Sequence, residues 1–157
     1  MGMDGEIRFR LVGEYEIKLV GKDGTVKEVR RGKNVITNAG KAQVAGLING
    51  VVTTPFRYIA IGTGTAAPAA TDTALASETR RKLADSVSRA TTNVDNDTAL
   101  LVATFSGYTG TEAVTKSGVF DASSGGNMLC RQTFSAINVD WGAGDSLQIT
   151  WKIVMTA

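Results

Sequence analysis

Leu147-Gln148-Ile149-Thr150-Trp151-Lys152-Ile153-Val154-Met155 is the stretch that decides the fold class. Successive side chains of an extended strand point to opposite faces, so Leu147, Ile149, Trp151, Ile153 and Met155 share one side and Gln148, Thr150 and Lys152 the other. That pattern belongs to a strand with one face in a core and the other in water, and it puts Trp151 in the core. The other end of the chain has the same period: Ile7, Phe9 and Leu11 alternate with Arg8 and Arg10, and Tyr15, Ile17 and Leu19 with Glu14, Glu16 and Lys18. Gly21-Lys22-Asp23-Gly24 then offers the positive φ angles of a tight hairpin, and residues 25–30 return. The first thirty residues are expected as a β-meander.

Between these ends the sequence alternates short strand patterns with glycine-rich turns. Strands are expected over 56–61, 100–105, 113–120 and 128–134, with an extended stretch over 85–92, a turn over 94–97, and turns at 107–110, 123–127 and 142–145. One helix is expected over 38–49, capped by Thr37 or Asn38, with Val44, Leu47 and Ile48 on one face and Gly50 at its end. Residues 62–73 are almost all small, and they read as a surface loop or as an extended arm that packs on something else. Eight or nine strands with one minor helix imply an all-β, mainly antiparallel fold, a β-sandwich with a jelly roll as the expected connectivity. The whole chain, 1–157, is expected as one domain, with 1–32 a charged hairpin or arm.

Composition narrows the chemistry. The 157 residues contain no His, which excludes imidazole bases, Ser-His and Cys-His nucleophile pairs and His-ligated metals from this chain. The single cysteine, Cys130, forms no internal disulfide and no CxxC site, and its alternation with Met128, Gln132 and Phe134 reads as a small buried hydrophobe. No apolar run approaches the roughly 20 residues of a membrane span, and Met1-Gly2-Met3-Asp4-Gly5-Glu6 lacks the pattern of a signal peptide, so cytoplasmic synthesis is the expectation. The net charge is +2, but residues 1–41 hold nine Lys/Arg and six Asp/Glu, whereas the remaining 116 hold eight and nine. The first quarter is therefore the charged region.

Each candidate constellation has a plain structural reading beside the functional one. Gly62-Thr63-Gly64 follows a strand as a phosphate loop does, but it continues into Ala-Ala-Pro-Ala-Ala without the Gly-Lys-Ser/Thr end, so a structural loop is the reading. The cluster Glu78-Thr79-Arg80-Arg81-Lys82 and the cluster Arg30, Arg31, Lys33 read as solvated faces, and without interleaved aromatics neither supports nucleic-acid binding. Asp95, Asp97, Asp121, Asp140 and Asp145 fall in turns and read as turn caps in preference to calcium ligands. Trp141 lies in a glycine-rich loop and serves either as an interface anchor or as a lid on the sandwich. No catalytic, cofactor or metal site is expected.

Four segments carry a resemblance: Lys33-Asn34-Val35-Ile36-Thr37-Asn38-Ala39-Gly40; Tyr58-Ile59-Ala60-Ile61-Gly62-Thr63-Gly64-Thr65-Ala66-Ala67-Pro68-Ala69-Ala70-Thr71-Asp72-Thr73-Ala74-Leu75 with Glu78; Ala113-Val114-Thr115-Lys116-Ser117-Gly118-Val119-Phe120-Asp121; and Met128-Leu129-Cys130-Arg131-Gln132-Thr133-Phe134. In this order they resemble tailed-bacteriophage virion proteins, small β-sandwiches that serve as capsid decoration (cement) proteins, head fibres, or tail-fibre and baseplate components. The resemblance implies a virion protein, and composition supports a non-enzymatic domain with no cofactor, nucleic acid or membrane. The expectation is a decoration protein on the capsid surface that binds the major capsid protein and, because threefold shell positions repeat each contact three times, itself as a homotrimer. The alternatives are a tail-fibre or adaptor module and, from another class, a carbohydrate-binding or lytic virion protein. Residues 6–20 and 62–74 are the candidate arms, and Arg8, Arg10, Arg30, Arg31, Lys33 and Trp141 the candidate partner-binding residues.

Overall fold

The computed structural model of the chain describes residues 8–157. Among them ten strands and one helix follow in the order β1 (Arg10–Val20), β2 (Val26–Lys33), β3 (Val35–Ile36), α1 (Asn38–Asn49), β4 (Tyr58–Gly62), β5 (Glu78–Leu83), β6 (Ser86–Ala90), β7 (Thr98–Phe105), β8 (Thr111–Phe120), β9 (Met128–Asp140) and β10 (Ser146–Thr156). They form two five-stranded antiparallel sheets, β2-β1-β10-β7-β6 and β3-β9-β8-β4-β5, here called sheets A and B. The fold is the all-β sandwich expected from the alternation. The pairs β1–β10, β3–β9, β4–β8 and β6–β7 are nested in sequence; β7–β10 and β8–β9 join them within each sheet, β1–β2 and β4–β5 add edge strands, and this order does not alternate the nested pairs between the sheets as the expected jelly roll would.

The inward sides of the two sheets make the main core. Ile17, Leu19, Leu101, Ala103, Phe105, Leu147, Ile149, Trp151 and Ile153 come from sheet A, and Ile59, Ile61, Val114, Val119, Cys130, Ile137 and Val139 from sheet B. Trp151 is fully buried, as its alternation implies. Its indole N–H donates to Ser117 Oγ (3.1 Å), and the Ser117 hydroxyl donates to the Ala60 carbonyl (2.8 Å), so burying the ring leaves no polar edge unpaired.

Three sequence expectations change in detail. Leu11 of the first run and Tyr15, Ile17 and Leu19 of the second lie in one strand, β1, because these apolar positions are odd-numbered and the alternation continues through Gly13, while Phe9 precedes the strand and is exposed. A Cβ on Gly13 would lie 2.0 Å from the Asn34 side chain, so the residue lacking one lets Asn34 fill that space. Ile7, part of the expected first strand, lies outside the described residues. Strand β9 runs six residues past Phe134: the register against β8 shifts between Val114 and Lys116, and beyond the shift Ile137 and Val139 return to the core. The helix has its expected limits, with Thr37 accepting the Gly40 N–H and Gly50 at φ +81°, but its apolar face is not buried as a unit: Val44 packs on the core while Ile48 is 77% exposed.

Helix α1 docks through Gly40. A Cβ there would meet the Leu129 carbonyl oxygen at 2.5 Å, and Thr37 beneath it donates its hydroxyl to Met128 O and its N–H to Leu129 O (2.9 Å). Gly40→Ala is therefore expected to destabilise the chain by about 1–3 kcal/mol, the range for overpacking against a backbone that cannot retreat, read by chemical denaturation. At the β9–β10 turn, the buried Asp145 carboxylate accepts the Lys27 ammonium (2.7 Å) and the Asp140 N–H (3.0 Å), and these hold its carboxyl below the usual carboxylate range. A folded-state pKa below the unfolded value of roughly 3.9 contributes stability present above that value and lost as pH falls toward the folded one. Asp145→Asn is expected to lower the melting temperature at neutral pH and to flatten its fall below about pH 4, followed by a pH series of thermal melts.

Candidate assembly surfaces

The four segments that carry the phage resemblance come together: they supply β3 with the start of α1, β4 with the loop that follows it, β8 and the first half of β9, all in or on sheet B. The loop over residues 63–77 lies against that sheet. Leu75 caps a second small core with Ala60, Phe120 and Met128. Beside it the Arg131 guanidinium, 2% exposed, donates to Asp72 Oδ2 (3.2 Å), the Ala66 carbonyl (3.2 Å) and Thr133 Oγ1 (3.0 Å). The Lys116 ammonium donates to the Ala76 carbonyl (2.9 Å), and burial, assisted by the Arg131 charge, pushes its pKa down. Asn38 N–H donates to Ala70 O (2.8 Å), tying the loop to the helix start, and Thr115 donates to Gly64 O. The loop expected as an arm for a neighbour is thus fastened along its own sheet. In the glycine segment, the Thr63 N–H donates to Ser77 O (3.1 Å), a hydrogen bond of a structural loop.

The basic cluster read as a solvated face is instead consumed internally. Arg81, its side chain 7% exposed, lies 3.6 Å over the Phe120 ring, pairs with both Glu78 oxygens (2.7 and 2.9 Å) and donates to the Ala122 and Gly125 carbonyls (2.9 and 2.8 Å). Arg80 pairs with Glu112 (3.1 Å) and stacks 3.8 Å from the Tyr108 centroid; Lys82 binds Asp85 and the Thr104 carbonyl, both at 2.8 Å. Glu112, which the sequence reading passed over, also accepts Thr79 and the Trp141 indole N–H (3.3 Å). Trp141 is 3% exposed and packs edge-on to Tyr108 at 5.1 Å, so in the isolated chain it fills the lid role of the two open to it.

The remaining partner-binding candidates do not form one patch. Arg30 reaches from β2 to Ser135 Oγ (2.9 Å) and Ala136 O (3.3 Å) on β9, bridging the two sheets. Arg31 pairs with Glu16 (2.6 Å) while remaining 67% exposed, and Lys33 sits opposite Glu14 in the β1–β2 register. Arg8 and Arg10 are exposed where β1 begins. Cys130 is fully buried, and desolvation raises its thiol pKa, which suppresses the thiolate. Asp97 accepts the Thr92, Asn93 and Val94 N–H groups (2.8, 2.9 and 2.9 Å) and Asp121 the Asn127 N–H (2.7 Å), as turn caps do. Among the described residues no cluster of three Cys, Asp or Glu side chains is placed to hold a metal ion.

What such a chain offers a neighbour is therefore its surface and its four sheet edges. Strand β2 is blunted by Lys27, Glu28, Arg30, Arg31 and Lys33, β3 has two residues, and β5 carries Glu78 and three cations with a register shift at Ile61/Gly62. Charges and irregularities of this kind discourage strand addition. Strand β6, Ser86-Val87-Ser88-Arg89-Ala90, is exposed over four of its five residues and has one charge. For the fastened loop, Asp72→Ala is expected to leave Arg131 short of its counter-charge. It should destabilise the chain by about 2–3 kcal/mol, discounted from a fully buried pair because Asp72 is partly exposed, with faster proteolysis inside 63–77. A change within about 0.5 kcal/mol and unaltered cleavage would refute the fastening.

The comparisons agree with the region these motifs build. A family model described as podophage GP4 fiber I protein gp80 matches residues 34–154. No curated protein and no solved structure matches the chain. The matched span begins at the end of the β2 edge and takes in all of sheet B, leaving outside it β1 and the charged hairpin. The chain belongs to the podophage GP4 fiber I protein gp80 family, and it is a structural, fibre-type protein of a phage virion.

Proposed function

We propose that this chain is a non-enzymatic adhesive module on the exterior of the virion, joining neighbours by shape and backbone pairing. The observation that carries this reading is the family match over 121 residues that build all of sheet B. The chemistry supports it. The chain has no His, its one thiol is buried, and the cations and carboxylates of sheet B are spent on fastening the chain to itself. A module of this kind binds an assembled surface better than free subunits when its footprint spans two subunits that meet only on assembly, and repeated copies add modest contacts into tight attachment.

The decoration role, with the major capsid protein as partner, is the form of this proposal in which the chain covers the shell. The word fiber in the family description favours the form in which it builds a projecting fibre on head or tail. Copies per particle separate the two. Quantitative gel densitometry of purified virions is expected to show this chain at a fixed stoichiometry, hundreds of copies for shell decoration and a few to a few dozen for fibres. Its absence from purified particles, or catalytic turnover of cell-surface polysaccharide by the recombinant chain, would overturn the proposal.

A further inference from the structure

Strand β6 is the open edge of sheet A, and with the residue before it its sequence is self-complementary: Asp85-Ser86-Val87-Ser88-Arg89 has an acid and a base placed symmetrically about an apolar residue. We propose that β6 pairs antiparallel with β6 of a second copy of this chain, in a register centred on Val87. In that register Val87 faces Val87 of the second copy, and Asp85 faces Arg89 of the second copy twice over, once on each side of the twofold axis. Residues directly opposite on antiparallel strands have side chains in contact, and opposite charges there stabilise the pair. The same register joins sheet A of both copies into one continuous sheet through main-chain hydrogen bonds, the usual mode of strand addition at an exposed edge.

The side chains remain exposed enough to do this. Val87 is 45% exposed, and among the described residues Arg89 makes no ion pair, although Arg is the residue best suited to a carboxylate partner. Asp85 bonds to Lys82 (2.8 Å) and the Thr104 N–H (2.6 Å), which hold it ionised and in place, yet its side chain keeps 49% of its exposure. A shallow cleft of about 350 Å³ beside β6, lined by Pro55, Phe56 and Leu101 among others, leaves apolar surface next to Val87 for the second copy to cover. The inference rests on this edge alone and holds wherever on the virion the chain sits. The interface is small, so its affinity in solution is expected in the micromolar to millimolar range, strengthened where many copies are held together.

The only natural cysteine is buried, so a single introduced thiol reports by itself. In the proposed register the Cα atoms of the two Val87 residues are about 4.5–5.5 Å apart, whereas two Arg89 residues are offset by four positions, roughly 13 Å along the strand. Val87→Cys is expected to form an interchain disulfide under mild oxidation at least ten times more completely than Arg89→Cys. Independently of any thiol, Arg89→Glu on the otherwise native chain sets Asp85 against a like charge twice and is expected to weaken the dimer at least tenfold by sedimentation equilibrium. A chain that stays monomeric to millimolar concentration, equal cross-linking at the two positions, or an oligomer of any size indifferent to Arg89→Glu would overturn the pairing.

Discussion

The sandwich is tied together where β10 crosses β8, at the hydrogen-bond relay from the Trp151 indole through the Ser117 hydroxyl to the Ala60 carbonyl. The largest buried side chain of sheet A thereby finds its one polar partner on the facing sheet, and that partner is satisfied in turn. Ser117 can serve because it stands beside β4 in register and is itself fully buried. The relay gives the packed sheets a directional contact between them, and the apolar side chains around it supply most of the burial. Strand β10 also makes, among the described residues, the longest registered pairing, eleven pairs with β1 from Arg10↔Thr156 to Val20↔Ser146, so sheet A is organised around the same strand.

Sheet B is built on a different principle. Its far side from the core is not left to water, as the simple alternation of a two-layer sandwich would have it, but is covered by the chain's own loop. The cover is partly polar: Lys116 and Arg131 are almost fully buried, Lys116 donating to the Ala76 carbonyl and Arg131 to the Ala66 carbonyl and to Asp72, its ion-pair partner. Buried cations held this way add little net stability compared with an apolar layer, but they favour one arrangement of the loop because displacing it strips their buried donors of acceptors. The family match spans this whole construction. A surface held in one shape by such constraints suits the adhesive role proposed for this chain.

The parts of this structure that could be read from sequence are those whose signal is local. The alternation of β10 and β1, the Asp23-Gly24 turn, and the Thr37 and Gly50 ends of the helix each depend on residues a few positions apart, and each is where the pattern puts it. The long-range polar contacts were not legible. Arg131 meets Asp72 across 59 positions and Arg81 meets Gly125 across 44, and nothing in a run of Arg and Lys distinguishes a guanidinium that stacks on Phe120 from one in water. For the same reason residues 62–74 read as a surface loop or as an arm that packs on something else. Their small side chains are what allow the backbone to lie close on β8 and β9, but smallness alone does not say on what. Trp141 was balanced between anchor and lid, because the partner that decides it, Glu112, is 29 residues away on β8.

The chain is a fibre-type structural protein of a phage virion, and the role proposed for it places its sandwich intact on the particle's exterior. An electron cryo-microscopy reconstruction of the purified particle tests it directly. External density is expected into which both sheets fit as a rigid body, with residues 63–77 lying on β8 and β9. Particles whose every external density is explained by other chains, or density in which the loop has left its sheet to reach a neighbour, would contradict it.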